Sequence, residues 1–330
     1  MAVGAAACGN SGGGSAGGAV PGDIVKGPGA HAVTVGDPPL TGTLTIPRGR
    51  GPFPAVVMLS GSGPEDQDET VADDKPFLDI ARGLAAQGVA TLRYDKRAYE
   101  YPGSIDLATI TPTQEYVPDA LAAIRLLEQE PEIDHTRIFV LGHSEGGTVA
   151  PKVVQRAPRV AGLILLAAST EDFGETLLRQ IAYVSTLPGT IGQEARQELP
   201  EAEQAQRQID NPKLSVANRA TWPTSPLAGG LGAAYWLGYR ELDPVGTARA
   251  LPQPILILQG GRDYQVTVAD DLAAWERGLA GRPGVTVHVY PDADHLFIDG
   301  TGAPTPADYD RPAHVDPQVI GDIAAWVHSH

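Results

Sequence analysis

The stretch Ile138-Phe139-Val140-Leu141-Gly142-His143-Ser144-Glu145-Gly146 decides the fold of this chain. Its four leading apolar residues predict a buried strand, and the spacing of Val149, Val153 and Val154 predicts a helix after the turn. Gly-x-Ser-x-Gly stands between the two and is typical of a strained turn that lifts a serine above a sheet edge. The glycines are required because a Cβ there would collide with the neighbouring strand or helix. Ser144 is therefore the predicted nucleophile.

The same five-residue pattern also occurs at 9–13 and at 13–17. Both matches lie in a glycine-rich tract, where they arise from composition alone, and neither follows a strand. The strand before Ser144 and the helix after it distinguish the third match. A glycine turn without chemistry is the remaining alternative for it.

Strands and helices alternate along most of the chain. Apolar or alternating runs predict strands at 31–36, 41–46, 54–60, 89–94, 137–141, 160–166, 255–259 and 285–290. Helical spacing predicts helices at 75–87, 116–129, 144–156, 268–279 and 317–327. This alternation predicts an α/β fold with a mostly parallel central sheet flanked by helices.

The alternation is interrupted between residues 171 and 248, where helical patches occur without a convincing buried strand. We expect residues 23–170 and 249–330 to form one catalytic core, and 171–248 to form a helical cap inserted after the sixth strand. We expect residues 1–22 to be a disordered tail rich in Gly, Ser and Ala.

The tail leaves two locations open. Ala5-Ala6-Ala7-Cys8 resembles the end of a bacterial lipoprotein signal, but no apolar segment and no basic segment precede it. Lipid attachment at Cys8 would make the protein extracytoplasmic. The alternative is a cytoplasmic protein with a disordered tail.

Composition restricts the function class. The chain has 330 residues, 42% of them hydrophobic and 19% charged, which is typical of a soluble globular protein. A net charge of −16 argues against a nucleic-acid partner and favours a monomer or small homo-oligomer. The single cysteine excludes an internal disulfide framework and a multi-cysteine zinc site. Apolar runs are too short for a transmembrane segment.

A serine hydroxyl becomes a nucleophile only when a base removes its proton and a third group orients that base. In this architecture the acid and then the histidine follow the serine, each after a later strand. Asp263 follows the strand 255–259, and His295 follows the strand 285–290. We therefore predict Asp263 as the orienting acid and His295 as the base. Asp292 and Asp294 are rival acids, but they lie too close to His295 in sequence to reach its far ring nitrogen easily.

Acyl transfer also requires donors for the developing oxyanion. The backbone N–H of Glu145 is the first predicted donor. The second is the N–H of Ser62, in the loop Ser60-Gly61-Ser62-Gly63-Pro64 after the first long buried strand. A plain glycine turn is the alternative for this loop. Gly61 in this loop and His143 beside the nucleophile are further predicted substrate contacts.

With its Ser-Gly-Ser-Gly-Pro loop, its Gly-His-Ser-Glu-Gly-Gly turn and the segment Arg93-Tyr94-Asp95-Lys96-Arg97, the chain resembles the α/β-hydrolase superfamily over residues 31–330. It is most similar to bacterial esterases and to dienelactone-hydrolase-like and serine-aminopeptidase-like proteins. The resemblance implies hydrolysis of small-molecule carboxylic esters without metal or cofactor.

The chain departs from this family after the basic segment. Tyr99 and Tyr101 replace the expected glycines, and we place them beside the substrate. Aromatic residues of the predicted cap are further candidates for a pocket wall, with simple packing as the alternative: Trp222, Tyr235, Trp236 and Tyr239.

Several functions fit these residues. A carboxylesterase that acts through an acyl-enzyme intermediate is the first. An amidase or aminopeptidase would use the same three residues, with Glu145 or Glu100 holding the substrate amine. A thioesterase, an acyltransferase and a non-catalytic binding protein on the same fold are the others. The acidic stretch 65–69 is interpreted as a solvent-exposed loop, because it lacks the spaced ligands of a calcium site.

Overall fold

The computed structural model describes residues 28–211, 213–214 and 230–330. The predicted tail with Cys8, and Trp222 of the predicted cap, lie outside the described residues. Within those ranges, no helix combines the length and apolar character needed to cross a membrane.

The described residues form a sheet of eight strands in the order β1-β2-β4-β3-β5-β6-β7-β8. The strands are β1 (Gly29–Val35), β2 (Leu40–Ile46), β3 (Phe53–Leu59), β4 (Ala90–Tyr94), β5 (Ile133–His143), β6 (Gly162–Leu166), β7 (Ile255–Gly260) and β8 (Val285–Tyr290). β2 pairs antiparallel with β1 and with β4, and all other neighbours are parallel. The predicted mostly parallel sheet is confirmed.

Helices cover both faces of this sheet. The α-helices of the described residues are α1 (Pro76–Ala86), α2 (Arg97–Glu100), α3 (Pro112–Leu127), α4 (Glu145–Arg156), α5 (Phe173–Ser185), α6 (Gly189–Ile209), α7 (Ala233–Arg240), α8 (Pro244–Ala250), α9 (Ala273–Gly278) and α10 (Pro317–Ser329). Side chains of β3 alternate between two buried clusters, because successive residues of a strand point to opposite faces. Val57 packs in the cluster under α3, α4, α8 and α9, and Met58 packs in the cluster under α1 and α10.

Four described helices, α5 to α8, lie between β6 and β7, which is where the sequence predicts an insertion after the sixth strand. We call these four helices the insertion. Its helices α5, α6 and α7 share a third buried cluster that includes Ile181, Ala195 and Trp236. The boundaries 171 and 248 of a separate cap stay a prediction.

Two predicted helices have different bounds. α3 begins at Pro112, before the predicted residue 116, because Thr111 and Gln114 form a capping box ahead of it. The predicted helix 268–279 divides into a π-helical turn, Val268–Leu272, and α9. Neither difference moves a candidate site residue.

Candidate active site

The predicted turn around Ser144 connects β5, which ends at His143, to α4, which begins at Glu145. Ser144 itself has φ +52° and ψ −121°, a conformation that costs strain for a residue with a Cβ. A Cβ on Gly142 would overlap the backbone of Gly146, and a Cβ on Gly146 would overlap the backbone of Leu59. The strand, turn and helix are therefore arranged as predicted from the sequence.

Asp263 and His295 lie side by side after β7 and β8. The Nδ1 atom of His295 is 2.7 Å from Oδ2 of Asp263, and both side chains are buried. The other carboxylate oxygen of Asp263 accepts the backbone N–H groups of Gln265 (2.8 Å) and Val266 (2.9 Å). These bonds fix the orientation of the carboxylate toward the imidazole.

The rival acid Asp294 forms hydrogen bonds within its own loop. Its Oδ1 accepts the backbone N–H groups of Leu296 (2.9 Å) and Ile298 (3.0 Å). Burial raises the pKa of Asp294 to about 6, and these bonds only partly oppose that rise. The structure therefore pairs His295 with Asp263.

A cavity of about 320 Å³ opens beside the half-buried Ser144. Its polar lining includes Ser62, Glu145 and Gln265. Its apolar lining comes from α5, from the segment before α7 and from the segment after α2: Phe173, Leu177, Leu231, Pro102, Ile105, Leu107 and Ile110.

The two predicted oxyanion donors border this cavity. Glu145 is the first residue of α4, so its N–H has no acceptor within the helix. Across the described part of the chain, the N–H of Ser62 donates to no protein oxygen. Both donors are thus free to bind an atom in the cavity.

The predicted substrate contacts divide into two groups. Tyr235 and Tyr239 line the cavity. Trp236 does not, because it packs inside the insertion, with its ring stacked 5.9 Å from that of Phe173.

Tyr99 and Tyr101 require a correction as well, since neither lines the cavity. Tyr99 is 42% exposed to solvent. The hydroxyl of Tyr101 donates to the carbonyl of Pro39. Instead, Pro102, Gly103 and Ile105 of the same segment face the cavity.

His143 also lies away from the cavity, beneath the nucleophile turn. Its Nε2 donates to the carbonyl oxygen of His295 (2.9 Å), and its Nδ1 is 2.8 Å from Oε1 of Glu69. Burial lowers the pKa of His143, but the charge and hydrogen bond of Glu69 outweigh it, so the pKa is raised. With both ring nitrogens occupied, His143 is a structural residue and not the predicted substrate contact.

Glu69 belongs to the acidic stretch 65–69, and for this residue the interpretation as a solvent-exposed loop is wrong. Glu69 is only 3% exposed, and its Oε1 also accepts the N–H of Gly61 (2.5 Å). The predicted contact Gly61 is absent from the cavity wall, since its backbone groups are bonded inside the protein.

The side chain of Glu145 is held by three tyrosines. Hydroxyls of Tyr235 and Tyr239 donate to Oε1 (2.6 Å each), and the hydroxyl oxygen of Tyr116 lies 2.9 Å from Oε2. Burial raises the pKa of Glu145, with Lys96 opposing the rise and Glu115 adding to it. This carboxyl group therefore has little capacity left for a substrate amine, and Glu100, the other predicted amine ligand, is absent from the cavity lining.

Comparisons with known proteins agree with this fold. Residues 56–308 match the model of the family described as "Alpha/beta hydrolase family". Esterase EstD of Thermotoga maritima is 36% identical over 288 residues, or 87% of this chain, and the chain spans 65% of the length of that esterase. Two solved structures share the fold over 91% of this chain: the alpha/beta hydrolase GrgF from Penicillium sp. sh18 (TM-score 0.58, 16% identity, 98% of its chain) and Est1E from Butyrivibrio proteoclasticus (TM-score 0.57, 15% identity, 99% of its chain).

Proposed function

We propose that this chain, which belongs to the α/β hydrolase family, is a serine hydrolase that cleaves carboxylic esters through an acyl-enzyme intermediate. The observation that carries the proposal is the 2.7 Å bond between the buried His295 and Asp263, at the strand ends that follow the Ser144 turn in chain order. The 36% sequence identity with an esterase also supports ester hydrolysis.

In the proposed reaction Ser144 is the nucleophile, His295 is the base and Asp263 orients the base. Asp263 accepts the Nδ1 proton of His295, which leaves Nε2 as the base that takes the Ser144 proton. The serine oxygen then attacks the ester carbonyl, and the N–H groups of Ser62 and Glu145 stabilise the oxyanion. His295 returns the proton to the leaving alcohol, and water hydrolyses the acyl-enzyme by the same route.

The cavity lining supports a small or medium-sized acyl group without negative charge. About 320 Å³ lies at the lower end of the range for small-molecule sites. Three carboxyl side chains line it, those of Glu115, Glu145 and Glu171, and no lysine or arginine does so among the described residues. An anionic acyl group would therefore find no cationic side chain in this lining to pair with, whereas a neutral one would meet apolar walls.

An ester is favoured over an amide or peptide with a free amine. Capture of an amine by Glu145 would have to displace hydroxyls of Tyr116, Tyr235 or Tyr239. A thioester would use the same residues, so kcat/KM for matched esters, amides and thioesters will order the three classes.

The nucleophile is tested by labelling the full chain with a fluorophosphonate at neutral pH, followed by intact-mass analysis. We expect one equivalent of label on the wild type and none on Ser144→Ala, because only an activated serine reacts. Ser185→Ala is the matched control, since this hydroxyl on α5 donates to the carbonyl of Ala182 and is absent from the cavity lining. An unlabelled wild type, or a Ser144→Ala variant labelled at the wild-type rate, would contradict the proposal.

A further inference from the structure

The carbonyl oxygen of Gly61 is held by two buried side chains. Lys96 donates to it from Nζ (3.0 Å), and Tyr116 donates from its hydroxyl (2.7 Å). Lys96 also donates to the Tyr116 oxygen (2.7 Å) and forms an ion pair with Glu115 (2.9 Å). Lys96 is 5% exposed, and neither Lys96 nor Tyr116 lines the cavity. Both polar groups are therefore buried without a part in the mechanism described above.

This carbonyl belongs to the same peptide group as the N–H of Ser62. The peptide group is planar and here trans, so its N–H points away from its C=O. Holding the Gly61 oxygen toward Lys96 and Tyr116 consequently sets the direction of the Ser62 N–H. The ammonium group also polarises the peptide, which strengthens the N–H as a donor.

The preceding peptide group is held from the other side. The N–H of Gly61 donates to Glu69, Glu69 is bonded to His143, and His143 donates to the carbonyl of His295. Because a carbonyl oxygen only accepts, Nε2 of His143 carries a proton. The loop that carries Ser62 is thus fixed on both sides of Gly61 and is connected to the loop of the proposed base.

We propose that Lys96 and Tyr116 are positioning residues that preorganise the Ser62 N–H as an oxyanion donor. This inference rests on the proposed serine hydrolase function, and it gives the Arg-Tyr-Asp-Lys-Arg segment a role in that function. Preorganised donors act on the charge that develops in the transition state. Loss of either side chain should therefore lower kcat and leave substrate binding largely unchanged.

The test is the steady-state hydrolysis of p-nitrophenyl butyrate by the full chain. We expect Tyr116→Phe to lower kcat about tenfold and to change KM less than about twofold, because the donor is loosened and not removed. Lys96→Met should lower kcat further, since it removes both a hydrogen bond and the charge. Inhibition by a trifluoromethyl ketone, which forms an oxyanion adduct on the serine, should weaken in parallel with kcat/KM.

The control is Tyr290→Phe, which removes another buried tyrosine hydroxyl, one that donates to Asp322 (2.8 Å) on α10. It should keep the wild-type kcat, and thermal unfolding of all variants separates folding defects from catalytic ones. If Tyr116→Phe does not fold, Lys96→Met carries the same comparison. An active wild type whose kcat survives both substitutions, or whose loss appears only in KM, overturns the positioning roles. A wild type that hydrolyses no ester and takes no fluorophosphonate label overturns both proposals.

Discussion

The two sides of the cavity differ in the groups that they present to a substrate: the sheet side presents polar groups, and the insertion presents mainly apolar ones. On the sheet side, buried hydrogen bonds hold Glu145 and the neighbours of Ser62 and Ser144 in the chain, and these bonds include Lys96 and the carbonyl of His295. The insertion contributes mainly apolar surface, such as Phe173 and Leu177. We infer that the sheet side supplies the chemistry and that the insertion selects the substrate by size. Substitutions on each side should accordingly change different kinetic parameters.

The largest effect is expected on the sheet side, for Asp263→Asn. The amide would donate to Nδ1 of His295 and place the remaining proton on Nε2, so the base would be lost. We expect kcat for p-nitrophenyl butyrate to fall by about a thousandfold or more. Asp294→Asn is the matched control and should lose less than about tenfold, because Asp294 is bonded to its own loop. Equal losses in both variants would contradict the assignment of Asp263.

A smaller effect is expected on the insertion side, for Leu177→Ala. Removal of this side chain enlarges the cavity at its apolar wall. Each further methylene of the acyl chain that becomes buried there contributes about 0.8 kcal/mol. The ratio of kcat/KM for octanoyl over butyryl esters should therefore rise about tenfold, with little change for the butyryl ester.

The neighbouring Leu178 packs in the insertion cluster and does not line the cavity, so Leu178→Ala is its control. An unchanged ratio in Leu177→Ala, or the same rise in both variants, would show that the insertion does not set acyl length.

The smallest effect concerns stability and a carboxyl group near the Ser62 loop. Burial, and next the negative charge of Glu69, raise the pKa of Glu65 from 4.5 to about 8. Between these values the folded protein keeps a proton that the unfolded chain has released, so the free energy of unfolding decreases as pH rises. Glu65→Gln cannot ionise and should lose less stability over this range.

Thermal unfolding at about pH 5 and about pH 8.5 measures this difference. The Tm of Glu65→Gln relative to the wild type should increase by a few degrees between the two conditions. Glu201→Gln, at an exposed position of α6, is the control for the removal of one charge. Parallel curves for Glu65→Gln and the wild type would contradict the raised pKa.

The sequence predicted the parts of the site that depend on chain order. Parallel strands end at one edge of a sheet, so a serine after β5, an aspartate after β7 and a histidine after β8 were expected to meet there. For Asp263 and His295 the expected proximity is present.

The contacts of Glu69 and the tyrosines could not be predicted in this way. Glu69 and His143 are 74 residues apart, and no local pattern indicates that they pair. Tyr99 and Tyr101 were placed beside the substrate because they depart from the family pattern. That departure says nothing about the direction of a side chain, which is set by tertiary packing.

The backbone of Ser144 stores strain, and this strain bears on how the chain drifts over generations. A left-handed φ of +52° costs a serine about 1–3 kcal/mol, which a glycine would avoid. A lineage selected only for folding would gain stability by exchanging this serine for glycine. A lineage selected for the hydroxyl group keeps serine and accepts a less stable fold. The residue at position 144 thus records whether selection acts on the reaction or only on the fold.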